Sequence, residues 1–263
     1  HSSSAVHKSQ VVVEGKKKEA GGLKTESKIS FPLYKICYSL AFVAVLSLVR
    51  GVSSVAEIGN VMQQAMGILA VVFCADTYMQ EVQSSRAEVF GLYSMRKKLR
   101  VVYTRLAVQT AYLYGVSILG YGCFFWQRPV SSWDGDPAWV SFLMYLAAMP
   151  AMLLFCGTLS MTAANLLKNL WAGIGLGALV WFGLISSGAD ELLGKWNVFS
   201  FAFRDIQRTL DVSWLCGTGC SLLLAAAMLA AEPAILGRQQ TGKKKRSRNM
   251  RKSVSGEEDN YEY

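Results

Sequence analysis

Histidine is almost absent from this chain of 263 residues, which argues against one common class of metal site. His1 and His7 are the only histidines, and both lie in the polar N-terminal segment. The six cysteines lie in or at the ends of apolar segments, as small packing residues do. A zinc site built from cysteine and histidine is therefore not expected, and neither is a framework of disulfide bonds.

Motifs for nucleotide binding and for hydrolysis are also missing. The chain has no G-x-x-x-x-G-K-[ST] phosphate loop, so it should not hydrolyse ATP by itself, and it has neither H-E-x-x-H nor G-x-S-x-G. The GIGLG stretch lies inside an apolar block with no strand before it, so it predicts close helix packing at Gly173 and Gly177 rather than a dinucleotide site. We expect no catalytic residues, no metal and no cofactor in this chain.

Apolar residues, by contrast, are abundant. They make up 52% of the sequence, the mean hydropathy is +0.28, and they fall into blocks of about 20 residues, the length that crosses a bilayer as a helix. A β-barrel would need short alternating strands instead. The sequence predicts an all-α polytopic membrane protein with six transmembrane helices, at about residues 33–50, 57–75, 102–125, 138–160, 167–187 and 212–231.

The distribution of lysine and arginine predicts the orientation of these spans. Bases are concentrated in the N-terminal segment, in residues 86–100 after the second span, and in the GKKKRSRNMRK stretch of the C-terminal tail. Because an excess of Lys and Arg marks the cytoplasmic side, both termini and the loop after the second span are predicted to be cytoplasmic. The net charge of +9 then reflects topology, and we expect membrane lipid rather than nucleic acid as a partner.

Composition divides the chain into three regions. Residues 1–30 are polar and basic, residues 31–232 form the six-helix transmembrane domain, and residues 233–263 form a tail that is first basic and then acidic. Both tails have the composition of disordered segments. We interpret them as solvated segments whose charge sets the orientation of the protein and which also contact anionic lipid. The alternative is that they form a docking arm for a partner.

The second span is the weakest of the six because its first half is polar. Glu57, Asn60 and Gln64 fall at positions i, i+3 and i+7, which is one helical stripe. Polar groups within spans are costly and are candidates for function, so this stripe is a candidate lining for a substrate pathway. In the alternative interpretation the span begins later, and the three side chains simply contact water.

The segment before the sixth span, at about residues 189–211, is amphipathic but too short to cross the bilayer. Its aromatic residues, such as Trp196, Phe199 and Phe201, predict an interfacial or re-entrant element on the outer side. An ordinary outer loop anchored by aromatic side chains is the alternative.

The segment at about residues 76–100 is charged, although apolar chain precedes and follows it. Between residues 86 and 102 the apolar residues keep a loose helical period, acids lie early, and the bases Arg96, Lys97, Lys98 and Arg100 lie late. That order of charges complements a helix dipole and predicts a cytoplasmic amphipathic helix that runs into the third span. Such a helix can lie on the membrane surface or transmit force from a partner below it.

This layout resembles that of the export-class ABC transporter permeases, the type 2 family that includes bacteriocin, polysaccharide and drug exporters and their immunity relatives. The resemblance covers about residues 31–232 at the level of layout, with the family's glycine near Ser85 and its proline near Ser94 both replaced. It extends to the inner turn that leads into the fifth span and to the outer amphipathic segment. The residues that match the family's loose pattern are Glu81, Glu88, Leu92 and Arg96-Lys97-Lys98-Leu99.

The resemblance implies a permease subunit of the bacterial cytoplasmic membrane that works with other chains. A separate ATPase subunit would bind ATP and Mg²⁺, and a second permease copy or a homologue would complete the transporter. Residues 76–100 would then form the coupling helix. Coupling would fall to Glu81, Glu88, Phe90, Leu92, Tyr93 and Arg96.

Two other classes of function compete with this one. A membrane scaffold without transport activity could recruit partners through its basic tails and its cytoplasmic helix. A secondary transporter would need an ion-coupling acid at mid-membrane, whereas Glu57 lies near the end of a span, and no internal inverted repeats are evident.

Overall fold

The computed structural model describes residues 32–78, 94–127, 138–204 and 212–258, the last range with side chains as far as Gly237. These residues form seven α-helices, one 3-10 turn at Gly194–Trp196 and no β-strand, so the predicted all-α class is confirmed for the described part of the chain. The helices are α1 Leu33–Val49, α2 Val55–Cys74, α3 Met95–Trp126, α4 Ala138–Leu167, α5 Leu170–Leu184, α6 Ser187–Leu193 and α7 Trp214–Glu258.

Three of these helices are long and apolar enough to cross a membrane. They are α2, α4 and the Trp214–Gly237 part of α7, and α5 with α6 would add a fourth if this pair, bent by 69°, were one span. With 17 residues, α1 is shorter, whereas α3 is long enough at 32 residues but less apolar. The structure is therefore consistent with a membrane protein, and the count of six spans stays a prediction.

Helices α2 and α4 form the centre of the bundle, and α5 lies at its periphery. Fourteen of the 20 residues of α2 are buried, whereas only Gly173 and Gly177 are buried in α5. A Cβ atom on Gly173 would lie 2.5 Å from the Cα atom of Ala164 in α4, and one on Gly177 would lie 2.8 Å from a methyl group of Val71 in α2. Both glycines thus allow α5 to approach the central helices closely.

Tyrosines of α3 compensate for prolines inside two neighbouring helices. A proline has no N–H group, so Pro150 in α4 and Pro233 in α7 leave the carbonyls four residues earlier without their helical donor. Tyr114 donates its hydroxyl to the carbonyl of Leu146 at 3.1 Å, four residues before Pro150. Tyr103 likewise donates to the carbonyl of Leu229 at 2.8 Å. Both freed carbonyls are therefore satisfied away from water.

The turn between α4 and α5 corrects the predicted start of the fifth span at residue 167. Helix α4 continues to Leu167, and Lys168 adopts a positive φ of 54° that ends it. Asn169 then caps α5, because its side-chain oxygen accepts from the backbone N–H groups of Trp171 at 3.0 Å and Ala172 at 3.4 Å. The boundary was missed because a hydropathy pattern does not register a two-residue turn between two apolar helices.

The aromatic segment after α6 enters the bundle and does not lie along its surface. Phe199 and Phe201 are fully buried, and their rings pack where a Cβ atom on Gly67 or Gly59 of α2 would stand. Asn197 replaces missing helical hydrogen bonds, since its amide donates to the carbonyl of Leu184 at 2.9 Å and its oxygen accepts from Phe199 N at 3.0 Å. The aromatic segment is thus packed inside the bundle, and the choice between a re-entrant element and an outer loop stays a prediction.

Helix α3 begins at Met95, so the predicted helix over residues 86–102 is wrong at Ser94, where the backbone is extended with ψ of 150°. The bases 96–100 therefore lie at the start of α3 and not at the end of a separate helix. Helix α7 extends to Glu258, although the composition of residues 233–263 is typical of a disordered segment.

Candidate functional site: a buried polar junction

The structure spreads the predicted pathway residues over different environments. Glu57 is half-buried, and its carboxylate accepts a hydrogen bond from Ser53 N at 2.9 Å, which connects the first turn of α2 to the residue before its N-cap. The side-chain oxygen of Asn60 is buried and has no hydrogen-bond partner among the described residues. Gln64 is half-buried, and its backbone carbonyl accepts from the indole N–H of Trp181 at 3.0 Å. The three residues share a stripe, and their role as a pathway stays a prediction.

Most of the predicted coupling residues fall in the part of the chain that the structure does not describe. Glu81, Glu88, Phe90, Leu92 and Tyr93 all lie between residues 79 and 93.

The sixth predicted coupling residue, Arg96, is described. It is exposed in the first turn of α3, where no acidic side chain accompanies it. A cation at a helix N-terminus is unfavourable to the helix dipole, so its presence there has no local structural benefit.

Asp76 and Thr77, which precede residues 79–93, belong to a cluster of buried polar side chains, here called the polar junction. Lys35 of α1 is 2% exposed, and its ammonium forms a salt bridge with Asp76, just after α2. The same ammonium donates to the carbonyl of Phe73 at 2.9 Å and lies 4.8 Å from the centre of the Phe73 ring. A charge this deeply buried needs such a set of partners, and the pair fixes the start of α1 to the end of α2.

A second contact joins the residues after α2 to the middle of α3. The Thr77 hydroxyl lies 2.6 Å from the side-chain oxygen of Gln109 in α3 and 2.6 Å from the carbonyl of Cys74. A hydroxyl donates one proton, so both contacts are satisfied when Thr77 donates to the carbonyl and the Gln109 amide turns to donate to Thr77. A buried hydrogen bond thus connects the end of α2 to α3 at a point 14 residues after the start of α3.

The junction continues to α4 and α7 through a buried carboxylate. Glu232 is fully buried and accepts hydrogen bonds from the Thr162 hydroxyl at 2.8 Å and from the Asn165 amide at 3.0 Å. Tyr103 of α3 donates to the carbonyl of Leu229, three residues before Glu232 in α7, so α3 contacts both groups of polar residues. The polar junction is defined as Lys35, Asp76, Thr77, Gln109, Thr162, Asn165 and Glu232, which belong to α1, the turn after α2, α3, α4 and α7.

The contacts of the polar junction are suited to hold neighbouring helices together. Its contacts are one ion pair and several hydrogen bonds that cross from helix to helix. The described residues hold no cluster of three His, Cys, Asp or Glu side chains that could bind a metal ion. All six cysteines are free thiols, and Cys74 and Cys156 are buried.

The sequence carries a signal for this junction, namely polar residues within apolar blocks, which belongs to no recognised motif. Lys35, Gln109 and Glu232 interrupt or end otherwise apolar blocks, and ionisable or strongly polar side chains inside such blocks are candidates for a functional or structural role.

Comparisons with known protein families, with curated proteins and with solved structures found no match to this chain.

Proposed function

We propose that this protein is the membrane permease subunit of an ATP-driven exporter, with six spans and both termini in the cytoplasm. A separate ATPase would bind residues 76–100 and supply the energy. The proposal is supported chiefly by the polar junction, because Asp76 and Thr77 at the start of the predicted coupling segment belong to it. Thr77 shares a hydrogen bond with Gln109 in the middle of α3, so a force on the start of the segment would reach α2 and α3 together.

Two further features support transmission of force from this segment. Asp76 binds Lys35, so displacement of the start of the segment would move α1 as well as α2. The end of the segment belongs to a continuous helix of 32 residues, about 48 Å long, which would carry a displacement at Met95 through the whole bundle. Arg96 is exposed at its start and available to an acidic surface of the ATPase.

The decisive experiment is purification of the tagged protein from its native host in mild detergent, followed by identification of bound proteins and an assay of ATP turnover. We expect a stoichiometric ATPase subunit. The double variant Phe90→Asp/Leu92→Asp should reduce the bound ATPase by about tenfold or more, because apolar anchors dominate such interfaces.

A matched pair of charge reversals controls for non-specific effects. Arg96→Glu should weaken binding of the ATPase, whereas Arg50→Glu changes an equally exposed base on the predicted outer side and should leave it unchanged. A monodisperse preparation without any nucleotide-binding partner would count against the exporter and favour the membrane scaffold.

A further inference from the structure

Arg204, at the opposite end of the bundle from the polar junction, is a half-buried cation with weak partners. Its guanidinium donates to the sulfur of Met144 at 3.2 Å and to the carbonyl of Ala56 at 3.4 Å, and it lies 4.3 Å from the centre of the Phe201 ring. A thioether is a weak acceptor, and a contact of 3.4 Å is a long hydrogen bond. The five N–H donors of the guanidinium are therefore poorly used.

No carboxylate among the described residues forms a salt bridge with Arg204. Burial lowers the pKa of Arg204, and the nearby Tyr121 opposes that shift. The ordinary pKa of an arginine lies so high that the group keeps its charge at neutral pH. A half-buried cation without a carboxylate partner among the described residues is suited to an anion from outside the chain.

A chain of aromatic contacts leads from Arg204 to Tyr121, which lines an apolar cavity. Arg204 lies over the Phe201 ring, and Phe201 and Tyr145 pack at the same position beside Gly59. The ring of Tyr121 lies between those of Phe142 and Tyr145, with centroid distances of 5.0 and 4.9 Å. Its hydroxyl is buried and has no hydrogen-bond partner in the part of the chain that the structure describes. An unsatisfied buried hydroxyl is costly, so a ligand oxygen at this place would be stabilised by Tyr121 as well as by Arg204.

The cavity itself lies between the end of α3 and the start of α4 and has a volume of about 370 Å³. Trp139 and Phe125 at its edge are 62% and 51% exposed, so it opens on the surface of the bundle. Its size falls within the range of about 300–1,000 Å³ that is usual for small-molecule sites. The lining includes Ile118, Tyr121, Gly122, Phe125, Trp139 and Phe142.

We propose that Arg204, Tyr121 and this cavity form a binding site for an anionic amphiphile. The head group, a phosphate or a carboxylate, would bind the Arg204 guanidinium and the Tyr121 hydroxyl, and the hydrocarbon chain would occupy the cavity. A planar guanidinium can form two parallel hydrogen bonds with either head group. A free anion would leave the apolar cavity empty, and a neutral lipid would leave Arg204 without a counter-ion.

In the proposed exporter, anionic amphiphiles would be the class of substrate. Only this assignment of a substrate depends on the proposed function. The binding site stands independently, because binding can be measured on the purified full chain without an ATPase. Failure to recover an ATPase and failure to bind the amphiphile are therefore separate results.

The test is a titration of the purified protein with phosphatidylglycerol and with phosphatidylcholine, followed by native mass spectrometry. Salt at about 0.5 M screens the basic tails, which would otherwise bind anionic lipid anywhere. We expect tighter binding of phosphatidylglycerol, and we expect Arg204→Gln to weaken it by about tenfold or more. Lys195→Gln removes an exposed base near the same end and should change binding by less than about twofold.

A second variant tests the cavity without touching the charge. A Cβ atom on Gly122 meets no atom within 4 Å, so Gly122→Leu can fill the cavity without a clash. Gly115 is equally open on the same helix but does not line the cavity, which makes Gly115→Leu the matched control. Gly122→Leu should weaken binding of phosphatidylglycerol by about tenfold, and Gly115→Leu should not.

Three outcomes would overturn the proposal. They are equal binding of the two lipids, unchanged binding of phosphatidylglycerol in both Arg204→Gln and Gly122→Leu, and displacement of phosphatidylglycerol by inorganic phosphate alone. The last would assign the site to a free anion. Thermal unfolding of each variant, measured alongside, separates loss of the site from loss of the fold.

Discussion

Lys35 and Asp76 are both charged residues in the polar junction, but they differ in access to water. Lys35 is 2% exposed and Asp76 is 14% exposed. If Lys35 is removed, the Asp76 carboxylate can still turn to solvent. If Asp76 is removed, the Lys35 ammonium stays buried with a carbonyl and an aromatic ring as its remaining partners. The two residues of one ion pair are therefore not equivalent for stability.

At the residue scale we predict that Asp76→Asn destabilises the protein by about 3–5 kcal/mol, the usual effect of leaving one buried charge without its partner. Lys35→Met should cost clearly less, and Lys35→Met/Asp76→Asn should recover most of the loss from Asp76→Asn. Thermal or denaturant unfolding in detergent measures all three.

Arg50→Met, at an exposed base, is the control for this series and should stay within about 0.5 kcal/mol. An equal cost for both single variants would contradict the argument from exposure.

At the scale of elements, α3 supplies the hydrogen bonds that prolines remove from its neighbours. The carbonyl of Leu229 lies four residues before Pro233 and accepts from Tyr103. The tyrosine is needed only because the proline is there. Contacts of this kind connect two helices and stabilise an irregularity in one of them.

We predict that Tyr103→Phe costs about 1–3 kcal/mol, because it leaves a carbonyl without a donor. The same change should cost little in a Pro233→Ala background, since the alanine N–H would restore the helical hydrogen bond. A double-mutant cycle on unfolding free energies gives the coupling.

Tyr34→Phe, at an exposed tyrosine of α1, serves as the control for this cycle and should be neutral in both backgrounds. The same cost of Tyr103→Phe with and without Pro233 would show that the hydroxyl has another role.

Sequence patterns predicted the helices far better than the contacts between them. Apolar blocks of spanning length gave the positions of α2, α4 and the first part of α7, because helical hydrogen bonds are local and each block satisfies its own. The burial of Phe199 and Phe201 could not be predicted, since it depends on spaces at Gly67 and Gly59 that lie about 130 residues earlier in the chain. The pairing of Thr77 with Gln109 is equally invisible in a hydropathy pattern.

At the scale of the whole molecule, successive long helices run in opposite directions. Tyr78 and Ser94, on either side of residues 79–93, therefore lie at one end of the bundle, and the Arg204 site lies at the other. The polar junction lies where α1 begins, where α2 and α4 end, and near the middle of α3. If the predicted orientation is right, the first end faces the cytoplasm and the second faces outward.

Labelling of single cysteines with a membrane-impermeant maleimide tests this orientation in a background without the native cysteines. Ser187 and Ser94 are both exposed, one at the start of α6 and one just before α3. Ser187→Cys should be labelled in intact cells, and Ser94→Cys only after the membrane is permeabilised. The reverse pattern would indicate the opposite orientation in the membrane. Labelling of both residues in intact cells would contradict the predicted topology.

The entry of the segment Asn197–Phe203 into the bundle has a consequence for the order of events during synthesis. Its turns cannot enter lipid alone, because irregular backbone is tolerated at membrane depth only when protein surrounds it. The partners of Phe199 and Phe201 belong to α2, so this segment can enter the bundle only when α2 is in place. If the predicted spans are right, membrane insertion of this protein would not proceed strictly helix by helix, because this segment depends on a helix about 130 residues earlier in the chain.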